Sequence, residues 1–151
     1  MSRQILLARP HPFIVAEMKP FLETHGYAAL KPEGSQTLDG LARACAGAVI
    51  SLAVTSSTGL EADEVLKRVR SSALKLPLVF AGLLSFEKYQ QTLERLAQQT
   101  GFSGEGLAVA VETEASKMLG SPQGWLYVSK DDLLDPTRRE LAARLLKRHF
   151  R

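Results

Sequence analysis

The sequence predicts an α/β protein in which short buried strands alternate with amphipathic helices, and two observations carry the prediction. The apolar runs "QILLA", "GAVISLAV" and "LPLVFAGL" contain no charged residue, as strands covered on both faces of a parallel sheet require. Between them lie segments whose apolar residues recur at three- and four-residue spacing, bounded by Ser, Asp or Gly, which is the pattern of crossover helices. At 151 residues the chain is expected to form one domain over positions 1–151, large enough to bury a core without disulfides or metals.

The elements follow in order. "QILLA" is the first strand. In "PFIVAEMKPFLETHGY", Ile14, Met18, Phe21 and Leu22 fall on one helical face, and Gly26 supplies a stop signal after His25. Pro20 lies inside that helix and predicts a kink, because it has no N–H to donate. "YAALK" reads as a second strand. "SQTLDGLARACA" reads as a short helix capped by Ser35, and "GAVISLAV" as the third and clearest strand. After the polar loop "TSSTG", the segment "LEADEVLKRVRSS" is a helix with Leu60, Val65, Leu66 and Val69 inward. "LPLVFAGL" is the fourth strand, and "SFEKYQQTLERLAQQTG" a helix from Ser85 to Gly101. "WLYVS" is the last strand. "DPTRRELAARLLKRHF" is a terminal helix with Asp135 as its cap and Pro136 at its first position. The stretch at about 102–124 stays open: "LAVAVE" suits a strand, yet Leu107, Val111, Ala115 and Met118 also share one helical face.

Composition narrows the function classes. Net charge is +3 with 23% charged residues, a balance that gives weak attraction to anions without a nucleic-acid signature. Cys45, the single cysteine, sits among small apolar residues and reads as a structural thiol. His11, His25 and His149 have no ligand-like spacing, so no metal site is expected. Neither a phosphate loop nor a dinucleotide fingerprint occurs, no cofactor is expected, and Ser51 lacks the surroundings of a catalytic nucleophile. No leader-like segment or membrane-length apolar run is read, so a cytoplasmic protein is expected.

Strand followed by helix, five times over, resembles the receiver domain of bacterial response regulators. The best local matches are "ILLARPHPFIVAEMKPFLETHGY", "LPLVFAG" and "YVSKDDLLDPTRRELAARLL". The resemblance implies a flavodoxin-like, doubly wound parallel sheet of five strands in the order 2-1-3-4-5, with an insertion at about 102–124 and the site at the carboxyl ends of the strands. Receivers hold there an acid pair for Mg²⁺, an acceptor aspartate, a Ser or Thr, and a lysine. Phosphoryl transfer needs that nucleophilic carboxylate, and cations to neutralise developing charge.

Mapped onto this chain, the acid pair becomes Arg9-Pro10, the acceptor becomes Ser51 and the hydroxyl position becomes Gly82, or Ala81 if displaced by one. Only Lys130 matches, and the proline that usually follows it is replaced by Asp131. No Asp or Glu occurs between Asp39 and Glu61. The resemblance is therefore to a pseudo-receiver without catalysis, an interaction module in two-component or related signalling. Its expected partner is another signalling protein or a second copy of this chain, and neither membrane nor nucleic acid is expected. Two alternatives stay open: a small-anion or ligand sensor built on Arg9, Ser51 and Lys130, and a flavodoxin-like enzyme of unknown activity. Gly82 and Lys130 lie 48 positions apart, about twice the receiver spacing, and the apolar insertion must pack against something. Val111, Met118, Trp125, Leu141 and Leu145 are the expected interaction face.

Overall fold

The computed structural model describes residues 3–9, 14–30, 44–52, 62–72, 76–83, 88, 91–92, 95, 105–108 and 124–150. Six strands form one sheet: β1 (Arg3–Arg9), β2 (Tyr27–Leu30), β3 (Gly47–Ser51), β4 (Leu78–Gly82), β5 (Glu105–Ala108) and β6 (Gly124–Ser129). Their order is β2-β1-β3-β4-β6-β5, and every pairing is parallel. The five strands read from the sequence thus stand in the order 2-1-3-4-5, and the architecture is flavodoxin-like. The sheet also has a strand beyond those five. Part of the insertion, Glu105–Ala108, pairs along the outer side of β6 with Leu107 opposite Leu126. It satisfies backbone groups of β6 that would otherwise form an open edge.

Alternation along the strands divides the core in two, because successive side chains in a strand point to opposite faces. One face carries Ile5, Leu7, Val49, Val79, Ala81, Leu126 and Val128. It packs against Met18, Phe21 and Leu22 from the first helical segment and Ala142, Leu145 and Leu146 from the last. The opposite face carries Leu6, Ala8, Ala48, Ile50, Leu78, Phe80 and Tyr127, covered by Val65, Leu66 and Val69. Those last three lie on α2 (Ala62–Ser72) and are fully buried, as their spacing predicts. Leu60, the 35–46 helix except for its last residues, and the 85–101 helix except for residues 88, 91–92 and 95 lie outside the described residues.

The proline expected to kink the first helix has a specific effect. Ile14–Met18 form a π-helical turn that runs directly into α1 (Lys19–Thr24), with Pro20 in the first turn of α1. A wider turn ahead of a proline accommodates the missing donor without breaking the helix. The Pro20 carbonyl accepts a 2.8 Å hydrogen bond from the Thr24 hydroxyl. Gly26 follows at φ +89°, a left-handed conformation that ends the helix and lets β2 begin at once.

The chain ends its last helix, α4 (Pro136–His149), by sealing the amino-terminal edge of the sheet. Phe150 is 1% exposed, and its ring lies so close over Gly47 that a side chain there would overlap it. Its carbonyl accepts a hydrogen bond from the Tyr27 hydroxyl at 2.9 Å and a longer one from the Arg3 guanidinium at 3.4 Å. His149, fully buried, donates from Nε2 to the Leu78 carbonyl at 2.6 Å. Thus the starts of β1, β2, β3 and β4 are all tied to the last turn of the chain.

Candidate functional site

Parallel strands end on a common side, so the register decides which residues meet there. Arg9 stands opposite Ile50, Ser51 opposite Ala81, and Gly82 opposite Ser129. Lys130 then opens a short helix, α3 (Lys130–Leu134). Arg9, Ser51, Gly82 and Lys130 therefore occupy the carboxyl ends of adjacent strands, where their places in the sequence put them. Pro10 lies outside the described residues. Between Leu7 and Arg9 the pairing of β1 with β3 slips by one residue.

The four strand ends supply no carboxylate. Ser51 is 1% exposed, and the backbone continues the ladder past it through a 2.8 Å bond from the Leu52 N–H to the Ala81 carbonyl. The Ser51 side chain is thus enclosed at the end of β3. Gly82 brings no side chain. Lys130 is exposed.

The nearest acids in sequence are Asp131 and Asp132, and they divide in role. Asp131 is exposed. Asp132 is buried, and its carboxylate accepts a 2.8 Å bond from the Ser129 N–H, while the Ser129 hydroxyl accepts from the Asp132 N–H at 3.2 Å. This reciprocal capping box starts α3. A 3.8 Å contact between Arg138 and the other Asp132 oxygen adds charge compensation. The acid closest to Lys130 along the buried side is thus committed to holding the backbone. The sequence carries the signal for this cap, because S-x-x-D at the end of the apolar run "WLYVS" is a capping-box pattern.

The expected interaction face needs correction. Leu145 is fully buried and Leu141 packs at the margin of the same core, because α4 lays that side of its stripe on the sheet. Leu145 therefore belongs to the interior of the domain. Trp125 is placed in β6, between Gly106 of β5 and Leu78 of β4. Val111 and Met118 lie outside the described residues.

Cys45 is half-buried beside the second core cluster, and burial pushes its thiol up to about 11. At neutral pH it carries almost no thiolate, the form that reacts. Among the described residues, no group of three His, Cys, Asp or Glu side chains is placed to hold a metal ion. Nor is any described helix long and apolar enough to cross a membrane. No protein-family model matches the chain, and comparison with curated proteins gives no significant match.

Proposed function

We propose that this chain is a pseudo-receiver, a receiver-like scaffold that works without phosphorylation and acts through protein contacts in cytoplasmic bacterial signalling. One observation carries the reading. The parallel register gathers Arg9, Ser51, Gly82 and Lys130 at one end of the sheet, and these are the residues that the resemblance equates with a receiver's acids, acceptor, hydroxyl and lysine. Of that set only the lysine remains. An arginine in place of the acid pair repels a divalent cation, and a hard cation such as Mg²⁺ needs oxygen ligands. A serine hydroxyl enclosed at the acceptor position does not substitute for a carboxylate nucleophile.

The test is an amide NMR titration with Mg²⁺ together with acetyl phosphate, and separately with beryllofluoride. The expected spectrum is unchanged around Ser51, Gly82 and Lys130. Saturable shifts at those residues that require Mg²⁺ would remove the pseudo-receiver reading.

A further inference from the structure

The flank of α4 beside its sheet-facing stripe carries a different kind of feature. Glu140, Leu141, Arg144 and Lys147 recur at the three- and four-residue spacing that puts side chains on one helical stripe. With Arg138 and with His25 at the end of α1, they line an open groove of ≈ 900 Å³. Arg138, Arg144 and Lys147 are exposed, whereas Leu141 is only partly so. Among the described residues, neither Arg144 nor Lys147 forms an ion pair, although Glu140 lies one turn before Arg144. Arg138 is already paired with Asp132, so two cations unpaired among the described residues, Arg144 and Lys147, stand against one acid, Glu140, and leave the groove net positive with an apolar patch beside them.

We propose that this groove docks an acidic, amphipathic segment of a protein partner. Its carboxylates meet Arg144 and Lys147, and one of its apolar side chains covers Leu141. The inference rests on the reading that the chain acts through protein contacts, and it names the surface and the chemistry of the contact. The stripe from Arg138 to Lys147 is about 14 Å long at the helical rise, the length of roughly two and a half turns of a partner helix. A nucleic-acid backbone fits less well. Glu140 lies one turn before Arg144 and opposes a row of phosphates, and Leu141 offers a phosphate nothing. A peptide can place its carboxylates at Arg144 and Lys147 and an apolar residue over Leu141.

His25 supplies an internal reporter. Its imidazole packs edge-on against Phe21 at 4.9 Å, and Arg139 lies over the same Phe21 ring at 5.2 Å. Burial, then Lys147, then Arg139 hold its pKa below the ordinary histidine value. An acidic segment lying beside Lys147 offsets part of that positive field and raises it.

The experiment uses the full chain and a labelled helical peptide of Glu and Ala with a single leucine stripe, followed by fluorescence anisotropy and by His25 ring NMR. The expected result is saturable binding that weakens with salt, with the His25 titration moving upward. The double reversal Arg144→Glu/Lys147→Glu changes only exposed side chains, and it is expected to weaken binding about tenfold or more. Lys67→Glu, on the exposed side of α2, is expected to leave binding unchanged. Absence of saturable binding, or binding indifferent to the double reversal, overturns the proposal. So does tighter binding of a short DNA duplex that is lost in the same variant. None of these outcomes depends on Mg²⁺ or acetyl phosphate, so failure here and failure of the pseudo-receiver reading are separate results.

Discussion

His25 shows how much a single position can carry. It closes α1, touches Phe21, and lies in the positive field of Lys147 and Arg139. Its folded-state pKa lies below 6.5, its ordinary value, so over that interval the unfolded chain binds the proton more readily. Stability attributable to this group is therefore intact above pH 6.5 and is lost as pH falls through the interval toward the lowered folded value. His25→Gln is expected to flatten the loss of stability just below pH 6.5, read from urea midpoints at a series of pH values. Such a role was not legible in the sequence, where His25 was only the residue before a glycine stop. Its neighbours Arg139 and Lys147 lie more than a hundred positions away. Cys45 was legible, because a thiol among alanines has little but apolar surroundings to meet. Ser51 was legible as a position, since the end of an apolar strand fixes its place along the sheet. Its enclosure depends on packing that spacing alone does not give.

Helices and strands followed their local chemistry closely. Asp135 caps α4 by accepting from the Arg138 N–H at 2.9 Å, with Pro136 in its first turn, as the D-P-x-x pattern predicts. What escaped the sequence were short features. α3 has five residues, too few for a periodic signal, and only its capping box marks it. β5 has four residues, a length at which a strand and a helical turn look alike. The close approach of Phe150 to β3 was equally hidden, because it joins Gly47 to a residue about a hundred positions further on. It makes Gly47 a packing requirement: Gly47→Ala forces the Phe150 ring to move and is expected to cost roughly 1–3 kcal/mol, as overpacked cores do. Denaturant unfolding checks the value. Adding Phe150→Leu to Gly47→Ala is expected to recover part of it, since a slimmer side chain relieves the overlap.

For the molecule as a whole, the doubly wound sheet was readable because its central strands, β3 and β4, are buried on both faces and each crossover helix must cover one of them. The candidate site was readable as a location for the same reason: parallel strands deliver their ends to one side. Its chemistry was readable only through the receiver resemblance, which sets Arg9, Ser51 and Gly82 where that family has acids and a hydroxyl. The basic groove on α4 was not readable, since "TRRELAARLLKRHFR" looks like any solvated helix until His25 and the partly buried Leu141 are placed beside it. The seal at the other end of the sheet bears on how the protein is made. Synthesis runs from the amino terminus, and the Tyr27 hydroxyl waits for a carbonyl 123 positions downstream. Until Phe150 leaves the ribosome, the starts of β2 and β3 lack their cover, and the nascent sheet exposes apolar surface to chaperones and proteases. A chain stopped after Arg148 is expected to remain in that unfinished state. Limited proteolysis should cut it rapidly under conditions in which the chain carrying His149 and Phe150 resists.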